Sequence, residues 1–229
     1  MITLRSAETR GHANHGWLDS HHTFSFGSYY DPNHVGLGDL RVINDDRVIG
    51  GGGFATHGHR DMEIISYVVE GALAHKDSMG NGSIIRPNEV QVMSAGRGVT
   101  HSEMNPSDTE TVNFLQVWVI PATTGTEPSY QQRDFGRDPG LHLVVSKDGR
   151  DGSLKILQDA AMYRGIVGAG DTVTHPFIAG RRGYLQLVRG RLDLHGQTLV
   201  PGDGAAIGDT TTLKILANED AEFLLFDLR

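Results

Sequence analysis

The chain has 229 residues, of which 38% are hydrophobic and 21% are charged, and its formal net charge is −8. This composition is typical of a globular protein with one large or two small domains. No apolar run approaches the roughly 20 residues that cross a membrane, and the N-terminus lacks the apolar segment of a secretory signal. The absence of cysteine excludes disulfides, thiolate ligands and a cysteine nucleophile. We therefore expect a cytoplasmic protein with no membrane partner.

The balance of charges also limits the partners. Lys and Arg number 20 against 28 Asp and Glu, and the densest basic cluster is the pair Arg181 and Arg182. Nucleic-acid binding draws much of its affinity from basic side chains that meet phosphates. We therefore expect no direct nucleic-acid contact, whereas a protein partner stays open.

Short β-rich runs separated by glycine-containing turns follow one another along the chain. In chain order they are EIISYVVEG, EVQVMS, TVNFLQVWVI, LHLVVS, GYLQLVRG, RLDLHG, GAAIG, TLKIL and EFLLFDL. Many are rich in Val, Ile, Leu and aromatic residues and end at turn residues, which is typical of strands. The best helical candidate, SLKILQDAAMYRG, is short. The pattern predicts an all-β protein of the sandwich or barrel type.

A polar segment from Pro121 to Gly140 separates two strand-rich blocks and holds three of the eight prolines. We interpret it as a linker or a surface excursion. It predicts an N-terminal domain of residues 1–135 and a C-terminal domain of residues 136–229. The two blocks share a weak repeat of strand, Gly, strand, turn, Pro and strand, which indicates one module used twice.

Two pairs of polar residues in the first block have the spacing of metal ligands. His57 and His59 are separated by one residue, so in a strand their side chains point the same way, about 7 Å apart along the backbone. His101 and Glu103 repeat this spacing. On neighbouring strands the two pairs would direct three imidazoles and one carboxylate into a shared interior. That set suits Fe, Ni, Cu or Zn.

Other polar residues near these pairs leave alternatives open. Asp61 and Glu63 share the side of the first histidine pair, so either could supply the carboxylate in place of Glu103. For Asp61 the competing interpretation is a solvated carboxylate. His21 and His22 are adjacent and would point to opposite faces of a strand, so they are not expected to ligate together.

The two histidine motifs and several other runs of the sequence resemble those of a known family. The run GGGFATHGHRDMEIISYVVEG resembles the first cupin motif, and GRGVTHSEMN resembles the second. The runs GWLDSHHTFSFGSYYDP, LRVINDD, HKDSMGN and FLQVWVIP resemble the pirin family, and with the two motifs they cover most of residues 11–121 in the expected order. The resemblance implies an all-β bicupin of two antiparallel, jelly-roll-like β-barrel domains packed together.

The resemblance also implies a metal site in the N-terminal cupin. Pirins bind one divalent metal through residues that match His57, His59, His101 and Glu103. Fe(II) is the transition metal that we expect, with Ni, Cu, Mn or Zn as alternatives. Glu63 occupies the carboxylate position of the first cupin motif, and we expect it to orient a ligand imidazole.

The second block keeps a cupin-like run, VPGDGAAI, but offers only His175 and His195 as ligands. Neither histidine has a companion in an HxH or HxE pair. We therefore expect a C-terminal cupin without a complete metal site, which serves a structural role.

Bacterial pirins resemble quercetin 2,3-dioxygenases in their site chemistry, which implies ring opening of a flavonol with O₂ and release of carbon monoxide. Glu103 is the expected catalytic residue. It would accept the proton of the flavonol 3-hydroxyl, or hydrogen-bond to it, because a divalent metal lowers the pKa of that hydroxyl. A rival from a different class is a non-catalytic metal- or redox-sensing regulator that acts through protein contacts. A third interpretation is a metal-binding structural protein.

Overall fold

The structure, a computed structural model, describes residues 1–208 and 210–229. Within these residues helix is limited to the short 3₁₀ segments Ala7–Thr9 and Arg150–Gly152. The remainder is strand, turn and irregular chain, which confirms the all-β prediction. The helical candidate was wrong: its residues form the strands Leu154–Lys155 and Ala160–Val167, because sheet pairing outweighs its weak helical pattern. In the described residues no helix has the length and apolarity of a membrane span.

The strands are numbered β1 to β22 in chain order. They are β1 (Ile2–Arg5), β2 (Gly11–Asn14), β3 (Leu18–His22), β4 (Leu40–Val48), β5 (Gly53–His59), β6 (Glu63–Glu70), β7 (Leu73–Asp77), β8 (Gly82–Ile85), β9 (Glu89–Ser94), β10 (Val99–Met104), β11 (Val112–Val119), β12 (Ser129–Asp134), β13 (Gly140–Ser146), β14 (Leu154–Lys155), β15 (Ala160–Val167), β16 (Thr172–Pro176), β17 (Arg182–Arg189), β18 (Leu192–Leu194), β19 (Gln197–Leu199), β20 (Gly204–Ile207), β21 (Thr212–Ala217) and β22 (Ala221–Leu228).

The chain divides into two compact units. The N-terminal unit comprises Gly11–Gly136 and Leu154–Gln158, and the C-terminal unit comprises Met1–Arg10, Arg137–Ser153 and Asp159–Arg229. Each unit thus takes in a short segment from beyond its main stretch of chain. The domain boundary at residue 135 remains a prediction.

The N-terminal unit is built from a larger and a smaller antiparallel sheet. The larger sheet has the strand order β12-β9-β6-β11-β4-β3-β2, and the smaller one has the order β5-β10-β7-β8. In the smaller sheet His101 of β10 is paired with His57 of β5 on one side and with Asp77 of β7 on the other. The register of β10 against β5 shifts between His101 and Glu103. This pairing brings the two predicted histidine motifs onto adjacent strands.

One row of buried polar side chains crosses the larger sheet. Cross-strand pairing links His22 to Asn44, Asn44 to Gln116, Gln116 to Ser66 and Ser66 to Gln91, on β3, β4, β11, β6 and β9. All five residues are buried. Because side chains two residues apart share a face, this polar row lies on the face that carries the apolar core farther along the strands.

The C-terminal unit has the sheet order β1-β20-β17-β22-β15-β13 and a smaller sheet, β16-β21-β18-β19. Its interior is a continuous cluster of buried Leu, Ile, Val, Ala and Phe side chains, including Leu187, Leu192, Ile215, Phe223 and Leu225. Apolar burial of this kind stabilises the fold and supplies few groups for chemistry.

Candidate metal centre

The structure brings the predicted ligands together inside the N-terminal unit. One ring nitrogen from each of His57, His59 and His101 lies within 4.8 Å of the others. The Nε2 atom of His101 lies 4.0 Å from Glu103 Oε2. His101 and Glu103 are buried, whereas His57 and His59 are partly exposed. The three imidazoles therefore converge, although they come from two motifs more than forty residues apart in sequence, and Glu103 lies beside His101 in a second group with His75.

Hydrogen bonds fix which nitrogen of each key imidazole carries the proton. His57 Nδ1 lies 2.8 Å from the carbonyl oxygen of Ala55, which can only accept, so Nδ1 is the donor. His75 Nε2 lies 3.1 Å from Asp77 Oδ2 and donates to that carboxylate. When His75 carries this single proton, its Nδ1 is an acceptor, and His101 Nδ1, at 3.4 Å, donates to it. Both His57 and His101 are thus left with a lone pair on Nε2.

These two lone pairs face each other, and this arrangement fits a metal ion. The Nε2 atoms of His57 and His101 are 3.0 Å apart. Without a cation between them, two acceptors at this distance repel each other. Two nitrogens bound to one ion at about 2.0–2.1 Å are separated by about 3 Å when the angle between the bonds is near 90°. The imidazole and carboxylate donors also suit a divalent transition metal. The chain therefore carries a metal site.

Burial keeps the imidazoles of His59 and His101 in the neutral form that binds metals. Desolvation, followed by the charge of His57, lowers the pKa of His59 to about 4. Desolvation, followed by the charges of the neighbouring histidines, lowers the pKa of His101 to about 3. Near neutral pH the lone pairs of both residues are therefore free to bind a metal ion.

The carboxylate of Glu103 is held from the larger sheet. Gln116 Nε2 lies 3.1 and 2.9 Å from its two oxygens, and Ser66 Oγ lies 3.2 Å from Oε1. Burial raises the pKa of Glu103, while the hydrogen bond from Gln116 opposes this effect. Gln116 and Ser66 belong to the polar row, so the row sets the position of the carboxylate.

The other carboxylates considered from the sequence lie in different surroundings. Glu63 is buried and accepts hydrogen bonds from Ser94 Oγ, at 2.6 Å, and from the backbone of Leu157. Burial raises its pKa, and the bond from Ser94 lowers it. These partners replace the ligand imidazole that we expected Glu63 to orient. Asp61 accepts the backbone N–H of Gly125 at 2.6 Å and so holds a loop.

A cavity of about 340 Å³ opens onto the donor cluster. Its size falls within the range of roughly 300–1,000 Å³ that is usual for small-molecule sites. His57, His59 and Glu103 lie in its wall, and its apolar lining is formed by Trp17, Leu18, Phe26, Phe54 and Trp118. Trp118 packs edge-on against both His59 and Phe26, with centroid distances of 5.0 and 5.4 Å. The cavity can therefore hold a flat apolar molecule against the metal donors.

Part of the same wall is polar. Ser20, His22, Asn44 and Asp46 line the cavity from β3 and β4. Burial raises the pKa of Asp46 to about 7; the hydrogen bond from Ser20 opposes this shift, and the charges of Asp45 and Glu103 add to it.

The alternate residues of β3 face away from this cavity. His21 and Asp19 form a group with His12 of β2, in which His12 Nε2 lies 2.7 Å from Asp19 Oδ1 and the two imidazole rings stack at 4.5 Å. His22 instead lines the cavity, so His21 and His22 do point to opposite faces, as predicted.

The histidines of the second block have other surroundings. His175 is buried and its Nε2 lies 2.9 Å from Asp227 Oδ2. Asp227 also binds Arg181, and its pKa is lowered: burial raises it, but the hydrogen bonds of His175 and Arg181 outweigh that effect. His195 is exposed at a turn, with φ of 53°.

Sequence reasoning did not identify the residues that support the ligands: His75, Asp77, Gln116 and Ser66. A local signal exists for the first two, because His75 and Asp77 are separated by one residue, as in both ligand motifs. Gln116 and Ser66 carry no local signal. The register between β6 and β11 places them side by side, and they reach Glu103 on β10 across the two sheets of the unit.

Comparisons with known proteins agree with this architecture. Residues 3–119 match the family model described as Pirin, and residues 143–228 match the quercetinase C-terminal cupin domain. The chain is 50% identical over 228 residues to a quercetin 2,3-dioxygenase of Escherichia coli K12, covering 100% of this chain and 99% of that one. It is 43% identical to a putative quercetin 2,3-dioxygenase of Pseudomonas aeruginosa, with full coverage of both chains.

A solved structure is equally similar. The crystal structure of the Escherichia coli pirin YhhW in complex with nickel(II) is 50% identical and has a TM-score of 0.97, covering 100% of this chain and 99% of that chain. These matches span both halves of the sequence and confirm the bicupin prediction. The chain belongs to the pirin family.

Proposed function

We propose that this chain is a metal-dependent quercetin 2,3-dioxygenase, which opens the ring of a flavonol such as quercetin with O₂ and releases carbon monoxide. The observation that carries the proposal is the cluster of three imidazoles at an apolar-walled cavity, with the buried carboxylate of Glu103 beside His101. The full-length relative at 50% identity that bears this activity in its name supports the same conclusion.

In this proposal His57, His59, His101 and Glu103 ligate one divalent metal, and Fe(II) is the resident ion. When bound, the metal supplies Lewis acidity, which lowers the pKa of a hydroxyl at the site, and an open position for small ligands. The 3.0 Å approach of the two imidazole Nε2 atoms supports this ligand set. The Escherichia coli pirin, 50% identical to this chain, has been crystallised in complex with nickel(II), which supports a divalent metal here and keeps nickel as an alternative to iron.

Glu103 is the proposed proton acceptor. Its burial raises its pKa, so its carboxylate is a stronger base than an exposed one. Gln116 and Ser66 hold the group in place, which keeps an oxygen directed at the donor cluster while a proton of the substrate hydroxyl is transferred to it. The chain thus pairs a base with the metal donors in one cavity.

The aromatic wall has the role of binding and of excluding water. Trp17, Phe54 and Trp118 present ring faces and edges to the cavity, and the planar rings of a flavonol match such a lining. Apolar contact orients the substrate, so its 3-hydroxyl lies toward Glu103. Excluding water also strengthens the electrostatic interactions at the donors.

A test of the proposal is metal-dependent oxygen uptake. Apo-protein is reloaded with Fe, Ni, Cu, Mn or Zn singly, and O₂ uptake and carbon monoxide release are measured with quercetin. Uptake should be lost in His57→Ala and in Glu103→Gln, and kept in His34→Ala, since His34 pairs with Asp31 in a loop outside the cavity lining. Tight metal binding without turnover by any metal would refute the enzyme and favour the regulator, whose protein partner would then be sought. A cytoplasmic location stays a prediction from the sequence.

A further inference from the structure

Strand β4 places two acceptor side chains in the wall of the cavity. Asn44 and Asp46 are two residues apart, so they share a face of the strand, and each is 3% exposed. Both line the cavity that opens onto the metal donors. Neither residue belongs to the predicted ligand set, so the metal site does not explain these groups.

The amide oxygen of Asn44 is buried and accepts no hydrogen bond. A buried carbonyl oxygen without a donor loses its hydration and gains nothing in return. A buried polar group of this kind needs a partner, which an ordered water or a ligand can supply. Asn44 Oδ1 therefore calls for a donor that enters through the cavity.

One carboxylate oxygen of Asp46 already accepts a hydrogen bond. Ser20 Oγ donates to Asp46 Oδ1 at 2.5 Å, and because its only proton is used there, it accepts from His22 Nε2 at 2.8 Å. Among the described residues no donor reaches Asp46 Oδ2. The chain from His22 through Ser20 to Asp46 thus fixes the carboxyl group and leaves its second oxygen for another molecule.

We infer that Asn44 Oδ1 and Asp46 bind phenolic hydroxyl groups of the flavonol other than its 3-hydroxyl. The inference rests on the proposed function and adds a specificity: the substrate is a polyhydroxylated flavonol. A phenolic O–H donates to both acceptors, whereas a flavonol without such groups leaves Asn44 Oδ1 unpaired. A site built to hydrogen-bond a hydroxyl rejects the analogue that lacks it.

The test is a binding measurement that does not need turnover. Full-length protein is loaded with Zn(II), which has no redox chemistry, and quercetin and 3-hydroxyflavone are titrated without oxygen. The second compound carries the 3-hydroxyl alone. Asn44→Leu, of similar size, should weaken quercetin binding roughly 10-fold and change 3-hydroxyflavone binding by less than about 2-fold. Leu18→Val, in the apolar wall, should weaken both ligands equally.

The outcomes separate this inference from the proposed function. An unchanged ratio of the two affinities in Asn44→Leu overturns the inference, and Asn44→Ala gives the same reading if the leucine variant does not fold. Oxygen uptake by the iron-loaded wild type is measured in parallel. Oxygen uptake can be absent while the Asn44 variant still loses the preference for quercetin over 3-hydroxyflavone. In that case the dioxygenase proposal fails and the hydroxyl-binding site stands.

Discussion

Replacing His75 by phenylalanine should weaken metal binding without removing a ligand. In the wild type His101 Nδ1 donates to His75 Nδ1 at 3.4 Å, and His75 in turn donates to Asp77 at 3.1 Å. This network keeps the lone pair of His101 on Nε2, toward the donor cluster. Phenylalanine retains the ring that packs on Tyr130 at 4.8 Å but offers no acceptor.

The expected loss of metal affinity in His75→Phe follows from the burial of both imidazoles. His101 is 1% exposed and His75 is 2% exposed, so water cannot replace the lost acceptor. Leaving the buried N–H unpaired costs about 1–3 kcal/mol. The alternative tautomer pairs with nothing better and turns the lone pair away from the metal. Both routes predict a loss of roughly 10–100-fold in metal affinity, the range usual for groups that support a ligand.

The assay is competition for Zn(II) or Ni(II) with a chromophoric chelator. His34→Phe is the matched control, because it breaks a histidine–aspartate bond of 2.7 Å outside the cavity lining, and it should leave the affinity unchanged. Asp77→Asn is a poorer probe, since Asp77 also accepts hydrogen bonds from Met79 and Asn81. An affinity within about 2-fold of wild type in folded His75→Phe would refute the tautomer argument.

Three other predictions concern separate parts of the chain. Burial raises the pKa of Asp46 from 3.8 to about 7, so as pH rises between these values the unfolded carboxyl ionises first and the wild type loses stability. Asp46→Asn cannot ionise at this position and so escapes this loss. In denaturant unfolding of apo-protein, the stability of the variant relative to wild type should rise by roughly 2–4 kcal/mol from about pH 4 to about pH 8. A stability difference that stays constant with pH would contradict this prediction. Gln116→Leu removes the donors to both oxygens of Glu103. It should lower the metal affinity about 10-fold, as measured by chelator competition. An unchanged affinity would show that the carboxylate does not need this support. At Gly165 an added Cβ would lie 2.1 Å from the Phe223 ring. Gly165→Ala should therefore destabilise the fold by about 1–3 kcal/mol, as measured by denaturant unfolding. An unaltered denaturation midpoint would mean that the ring moves aside without cost.

The convergence of the proposed ligands was predictable because its signal is local. His57 and His59, and likewise His101 and Glu103, alternate on strands, and the family motifs fix which strands are meant. The structure adds that β5 and β10 are neighbours, which alternation alone does not require. Sequence pattern and family resemblance together thus identified the residues that converge.

The surroundings of the ligands were not predictable, because they depend on register between strands distant in sequence. Gln116 on β11 contacts Glu103 on β10, a strand of the other sheet, and Asn44 joins the polar row through the pairing of β4 with β11. Glu63 shares the strand parity of a ligand, yet its position places it against Ser94 on β9. Parity shows which face a side chain occupies, and tertiary pairing decides what it touches.

The most direct measurement of the central claim is an anomalous-scattering map of crystals of the metal-loaded protein at the absorption edge of that metal. We predict a strong peak within bonding distance of His57 Nε2, His59, His101 Nε2 and Glu103, where one ion would lie between the two facing Nε2 atoms. A peak confined to the outward-facing group of His12, Asp19 and His21, or a map with no peak among the four donors, would contradict the account.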